Sequence, residues 1–303
     1  MTQRLIFATP CYRELQKKLC KISGYEEGQV EYRRFPDQEH HFRLNSSVAG
    51  KDVLVLGTSL PGGHFMELYD LAFGMVSYGA RSLTMVLPYF AYSTMERIVH
   101  AGDVVTAKTR ARVLSSLPQA AWNNRILLID LHSIGIPHYF EGTLRPEHIS
   151  GDPIVAEVIK KWGVQDFVLA STDAGRAKRV ESIAHFLNVE PAFLIKKRTD
   201  SGQTKVVAPA SPIDNKTVLI YDDMIRTGGS LIEAAKAYKS AGAGKIYGLT
   251  THGLFTGNAL NKIKESGYFE KIVATDTIPF IEEKADEFLE IYTVANLIAD
   301  HLK

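Results

Sequence analysis

Runs of uninterrupted apolar residues recur along the chain: RLIFAT, DVLVLGTS, SLTMVLPYF, RILLIDLH, FVLAST, AFLIKKR, TVLIYDD, KIYGLTTH and KIVATDTI. They lack the polar alternation of a half-solvated strand, which predicts strands covered on both faces. Between them lie stretches with helical spacing, such as HFMELYDLAFGMVSYGA and SLIEAAKAYKSAGA. Strand and helix alternating over the whole length predict an α/β protein built on parallel sheets.

Two of these stretches belong to an internal repeat. Residues 52–90 and 217–255 each run strand, Gly-Gly loop, helix, Gly-Ala turn, strand. A period of about half the chain predicts two copies of one α/β unit and not a solenoid. The polar segment RPEHISGDP (145–153) is the expected boundary. It divides the chain into residues 1–147 and 148–303, with the last helix free to pack back on the first domain.

Composition narrows the function classes. A chain of 303 residues that is 45% hydrophobic has material for two cores. Lys plus Arg (35) nearly balances Asp plus Glu (34), so no global field draws nucleic acid or an anionic membrane. No apolar run approaches the roughly 18 residues that span a bilayer. The start MTQRLIFATPCY lacks the pattern of a signal peptide. The expectation is a soluble, cytoplasmic protein. Cys11 and Cys20, on what reads as one amphipathic segment, match no zinc or CxxC spacing and are expected to be ordinary thiols, buried or half-buried.

The candidate chemistry centres on VLIYDDMIRTGGSL (218–231). Here an apolar strand leads into two adjacent acids, Asp222 and Asp223, then through Arg226, Thr227, Gly228 and Gly229 into a helix. Ser230 and Glu233 have capping-box spacing, which predicts the helix start. Adjacent carboxylates repel and lose hydration on folding, so something cationic or hydroxyl-rich must compensate. A glycine-lined helix start presents N–H groups to a phosphate, and ionised carboxylates accept from a vicinal diol. The string therefore describes a socket for a ribose carrying a 5-phosphate; the alternative is an ordinary turn with solvated acids. AGAGKI (241–246) imitates a Walker loop, but Lys239 and Ile246 occupy positions the motif needs for Gly and Ser/Thr, so a helix exit is expected there.

Beyond the socket, the chain resembles the ribose-phosphate diphosphokinases, which make phosphoribosyl pyrophosphate. The similar segments are RRFPDQE (33–39), PYFAYSTMER (88–97), VVTAK (104–108), IDLHSIGIPHYF (129–140), STDAGRAKR (171–179), the socket and ATDTIP (274–279), in that order. The resemblance implies a tandem pair of phosphoribosyltransferase-like (Rossmann-like) domains with parallel sheets. It implies transfer of the diphosphoryl group of ATP to the 1-hydroxyl of ribose 5-phosphate, with Mg²⁺ as cofactor and an oligomer whose nucleotide site lies near a subunit interface. Such chemistry needs positioning and charge neutralisation more than a covalent catalyst.

By residue, the resemblance assigns catalysis to Lys196 and Arg198 in IKKRTDSGQTKVV, where Lys197 is a neighbour able to share the role and a solvated basic turn is the plain alternative. The nucleotide falls to Phe35, Asp37 and Glu39, which alternate on one side of what reads as an extended segment, and to Glu96, Arg97 and His132. His132 and Asp173 are the implied Mg²⁺ ligands, with Gly175 allowing close backbone approach. Lys108 adds charge or lies on a solvated helix with Arg110 and Arg112. Thr94 and Met95 replace a frequent Arg-Gln, which resembles the plant-type subgroup more closely, and Arg226 replaces a frequent acid. Two other readings remain open: a non-catalytic partner subunit, which is expected to lose these residues, and a base phosphoribosyltransferase, which needs only the socket.

Overall fold

Every apolar run of the sequence is a strand, and the strands form two sheets of identical plan. The computed structural model describes residues 3–163, 166–198, 204–209 and 213–302, with the side chains of 174, 195–198 and 204–209 outside the description. The chain divides into two units, Met1–Ser150 with Thr293–Lys303, and Gly151–Tyr292.

In the first unit, the strands lie in the order Glu26–Glu27, Arg4–Ala8, Asp52–Leu56, Ser82–Leu87, Asn123–Ile129, Leu144–Ile149, all parallel. In the second the order is Glu190–Ala192, Phe167–Ser171, Thr217–Ile225, Ile246–Gly253, Lys271–Thr275, Leu289–Tyr292, again all parallel. Numbered along the chain, both sheets read 2-1-3-4-5-6. Each unit also carries an antiparallel hairpin between its second and third strands: Val30–Arg34 with His40–Leu44, and Leu194–Arg198 with Thr204–Pro209. The duplication is therefore more complete than the 52–90 and 217–255 repeat alone.

Both faces of each sheet are covered, which is why the strands carry no polar alternation. In the first unit Phe7, Val55, Met85 and Leu128 pack with Leu68, Met75, Ala107 and Leu114 from its helices. In the second, Val168, Ile220, Ile246 and Ile272 pack with Leu231, Ala235 and Tyr238 from the helix Gly229–Ser240. The polar segment expected at the boundary begins as the edge strand Leu144–Ile149, paired with Asn123–Ile129, and the units divide within it at Ser150/Gly151. An edge strand has one face and one side to offer to water, so it tolerates Arg145 and Glu147. Residues Thr293–Lys303 return to the first unit, where the helix Ala295–Asp300 packs on Arg13–Ser23.

Two smaller expectations meet the structure here. The glycines of AGAGKI form a helix exit: the helix Gly229–Ser240 ends at Ala241, and Gly242 sits at φ 94° where a Cβ would come within 2.5 Å of Asp214 Oδ1. Cys11 lies in the short turn Pro10–Tyr12 and Cys20 in the helix Arg13–Ser23, so they occupy separate elements; burial pushes both thiols up to about 11, which keeps them protonated. Among the described residues no helix is long and apolar enough to cross a membrane.

Tyr238 ties the second unit together. Its buried hydroxyl lies 3.0 Å from the Ser171 carbonyl and 3.2 Å from that of Ala192, donating at the ends of two neighbouring strands. Tyr238→Phe leaves these carbonyls short of a donor and is expected to cost about 1–2 kcal/mol. A thermal or urea melt checks this, and an unchanged midpoint would remove the hydroxyl from the stability of this unit.

Candidate active site

The second sheet reverses its order of growth between its first and third strands, Phe167–Ser171 and Thr217–Ile225. Open parallel sheets bind ligands at the carboxyl ends of the strands beside this switch. The two strands pair only as far as Tyr221 and Ser171. Beyond that pair the third strand runs on two residues past the acids, still bonded to Ile246–Gly253 on its other side. The paired acids do not end the strand as the pattern suggested; they face the gap where one neighbour has stopped.

That gap is filled by the loop after Ser171. Thr172 Oγ1 donates to Asp222 Oδ2 at 2.9 Å. The Arg176 guanidinium places Nη2 2.6 Å from Asp223 Oδ1 and Nε 3.6 Å from Asp222 Oδ1. One hydroxyl and one arginine are thus the compensation that the two carboxylates require. Asp223 is fully buried against this close guanidinium. Burial pushes the Asp222 carboxyl well above the ordinary carboxylate range, the neighbouring Asp223 raises it further, and Arg176 and Thr172 only partly oppose this. A diol donating to Asp222 would oppose that rise. Arg176 is the residue that sequence reasoning quoted within STDAGRAKR without a role; its spacing three residues after Asp173 is the only signal for it.

The helix start beside the acids differs from the expected capping box. The helix begins at Gly229, with Gly228 as N-cap at φ 78° and no side-chain cap hydrogen bond. Ser230 lies inside the first turn, two residues past the N-cap position. The first intrahelical bond runs from Ile232 N to Gly228 O at 3.0 Å, so the N–H groups of the opening turn are left for a ligand. Gly228 has no substitute: a Cβ there would stand 2.8 Å from Ile263. Arg226 and Thr227 are exposed on the loop. The Arg226 carbonyl accepts from Thr256 N at 2.9 Å, which fixes the loop at its centre.

Asp173 is half-buried, and its Oδ1 accepts from Arg176 N at 3.2 Å. A Cβ on Gly175 would stand 3.1 Å from that same oxygen, so the glycine makes room for the aspartate itself. Lys196 and Arg198 occupy the strand Leu194–Arg198 of the second hairpin; their side chains, like that of Lys197, lie outside the described residues.

The nucleotide candidates fall in the first unit. Phe35, Asp37 and Glu39 do not lie on an extended segment. Phe35 N donates to Glu39 O and Gln38 N to Phe35 O, both at 2.9 Å, with Gln38 left-handed at φ 77°. This is the three-residue hairpin turn with a bulge, favoured because Pro36 presets the turn. Its alternation argument fails, yet all three side chains are exposed at the tip. Glu96 and Arg97 sit on the loop after Ser82–Leu87; Arg97 Nε is 3.6 Å from Glu96 Oε1, and Tyr139 Oη donates to the Glu96 carbonyl. Lys108 lies over the Tyr139 ring at 5.9 Å, and Arg110 packs against Phe65 and Tyr92 at 4.9 and 5.2 Å, so this helix faces the loop and is not merely solvated. His132 is half-buried just past Asn123–Ile129, following Asp130 in a left-handed conformation (φ 49°) and Leu131, whose N–H is taken by His148 Nε2 at 3.1 Å.

The chain is similar to known proteins along nearly its whole length. The N-terminal domain of ribose phosphate pyrophosphokinase matches residues 4–117, and the phosphoribosyl synthetase-associated domain matches residues 191–303. A ribose-phosphate pyrophosphokinase of Synechococcus elongatus is 31% identical over 97% of this chain and 88% of its own. Ribose-phosphate pyrophosphokinase 2 of Enterococcus faecalis is 30% identical over 98% of this chain and 91% of its own. The crystal structure of phosphoribosylpyrophosphate synthetase from Mycobacterium smegmatis superposes with a TM-score of 0.87 at 25% identity, covering 99% of this chain and 98% of that one. With both units matched in order and an acid pair held by arginine at the switch point of the second, the chain belongs to the ribose-phosphate pyrophosphokinase family.

Proposed function

We propose that this chain transfers the diphosphoryl group of ATP to the 1-hydroxyl of ribose 5-phosphate, releasing AMP and phosphoribosyl pyrophosphate. The observation that carries the reading is the Asp222–Asp223 pair, held by Arg176 and Thr172 beside an uncapped helix start. The ribose diol donates to the two carboxylates, and the 5-phosphate sits on the open N–H groups with Arg226 and Thr227 alongside. A ribose so clamped at its ring hydroxyls and its phosphate presents only the 1-hydroxyl for reaction. Phe35 stacks on the adenine, Asp37 and Glu39 accept from its amino group or its ribose, and Arg97, with Glu96 beside it, meets the nucleotide phosphates. Lys196 and Arg198 neutralise the charge that develops on the transferring group.

Asp173 offers a half-buried carboxylate of the kind Mg²⁺ takes. Among the described residues no three His, Cys, Asp or Glu side chains form a cage; Mg²⁺ commonly takes one or two protein donors, keeps several waters and completes its shell from substrate phosphates. Asp173 and His132 are the residues assigned to it, the carboxylate being the better matched of the two. When bound, the ion neutralises phosphate charge. Thr94 and Met95 align the chain with the plant-type subgroup in this reading, and the nucleotide turn works near a subunit interface of a homo-oligomer in the cytoplasm.

The non-catalytic reading requires loss of the acid pair or its partners, and these are in place. The base phosphoribosyltransferase reading leaves the first unit, with its own matched domain, without a purpose. Incubation with ATP, Mg²⁺ and ribose 5-phosphate tests all three: AMP that appears only with the sugar supports the proposal, and its absence removes it.

Two further outcomes are expected. Lys196→Ala lowers kcat by about a hundredfold or more while ribose 5-phosphate affinity stays within about twofold, because the charge acts on the transferring group and not on the bound sugar; unchanged turnover would remove the lysine from the mechanism. Asp222 stands high before binding, and hydroxyl donation favours its ionised form, so its pKa falls on binding and a proton is released. Calorimetry in two buffers of different ionisation enthalpy reads this release. Asp222→Asn is expected to abolish its share, leaving only the contribution of the ligand phosphate.

A further inference from the structure

The hairpin that carries Phe35, Asp37 and Glu39 is a two-stranded sheet of its own. Side chains must therefore fix its place. Near its base, Tyr32 Oη donates to the Ala8 carbonyl, and Tyr32 and Phe42 meet edge to face at 5.4 Å against the core. Toward the tip the tie is of another kind. His40, the first ladder residue after the turn, places Nδ1 3.0 Å from Glu67 Oε1.

Glu67 belongs to the first turn of the helix His64–Ser77, and its side chain is only 9% exposed. The other carboxylate oxygen lies 3.3 Å from His64 Nδ1. A carboxylate this buried keeps its donors, since losing one leaves an expensive unpaired charge. This acid lies outside every motif of the sequence, and the reaction does not require it. We propose that Glu67 is a positioning residue for nucleotide binding: by holding His40 it sets where the 35–39 turn stands, and so how Phe35, Asp37 and Glu39 meet an adenosine group. The inference rests on the reading of that turn as a nucleotide contact.

The geometry separates this role from plain stability. His40 is on the hairpin, whereas His64 is on the helix that bears Glu67. Both engage the same carboxylate, but only the His40 contact holds the turn. The experiment measures the ATP Kd without sugar, the KM for each substrate and the melting midpoint of wild type, Glu67→Gln, His40→Ala, His64→Ala and the Glu67→Gln/His40→Ala double variant. Glu67→Gln and His40→Ala are expected to weaken ATP about tenfold, the loss of one charge-assisted hydrogen bond. The double variant should be no weaker than either alone. His64→Ala should leave ATP affinity within twofold, and the ribose 5-phosphate KM should hold in all of them. ATP affinity that survives His40→Ala, or that falls equally with His64→Ala, overturns the proposal, and His40→Ala alters a partly exposed side chain, so it remains informative where Glu67→Gln fails to fold. A wild type that binds ATP yet forms no AMP with the sugar defeats the reaction assigned above while the Kd comparison still decides this inference; a wild type that binds no ATP defeats both.

Discussion

Two carboxylates on adjacent residues, at the place where one strand has lost its neighbour, set the terms for the second unit. Neither can be solvated as a free acid would be, and their mutual repulsion is paid for by one guanidinium and one hydroxyl from the loop after Ser171. That solution is incomplete by design: Asp222 remains far above its ordinary pKa because burial and Asp223 outweigh Arg176 and Thr172. An incomplete solution makes a binding site, since donors brought by a ligand relieve a cost already present in the fold. The surrounding features follow from the same demand. The neighbouring strand must stop at Ser171 to admit the loop, Gly175 must lack a Cβ to admit Asp173, and Gly228 must be glycine to pass Ile263.

The duplicated plan places an antiparallel hairpin at the same point of both units. In both units the chain leaves the second strand, makes an antiparallel hairpin, and re-enters the sheet as the third strand. The hairpin is thus attached at the switch point, next to the strand ends where ligands bind, yet it is not part of the parallel ladder. The turn 35–39 and the strand bearing Lys196 and Arg198 belong to topologically equivalent hairpins. Both units share one arrangement: a parallel sheet, and an antiparallel ribbon outside its ladder.

Much of this was legible in the residues. Fully apolar runs located nine strands, and the socket string located the acids and the helix entry. What escaped did so for definable reasons. The strand Leu144–Ile149 carries Arg145, Pro146, Glu147 and His148, which an edge position tolerates but which hide the strand from an apolar pattern, although the boundary beside it was legible. The hairpin turn at Phe35–Glu39 hides behind an alternating pattern because Gln38, not glycine, takes the left-handed position. Ser230 and Glu233 mimic a capping box, but Gly228 already starts the helix. Arg176 is a long-range partner, 46 and 47 residues from the acids it neutralises, and periodicity carries no information about such pairs.

The first unit shows what the same strand end becomes when the acids are absent. By the internal repeat, Gly57 and Thr58 stand where the second unit has Asp222 and Asp223. Thr58 Oγ1 donates to the Tyr89 carbonyl at 2.9 Å, and Ser59 Oγ accepts from Ala91 N at 2.7 Å. Both hydroxyl residues are buried, so these bonds are shielded from solvent. They pin the start of the loop that carries Glu96 and Arg97, just before Tyr92 turns left-handed at φ 64°. A neutral hydroxyl can be satisfied by a backbone group of its own chain, whereas a carboxylate pair cannot be satisfied without a cation and further donors. Replacing acids by Gly and Thr therefore converts an open socket into an anchor, and frees the first unit to present a loop instead of a pocket.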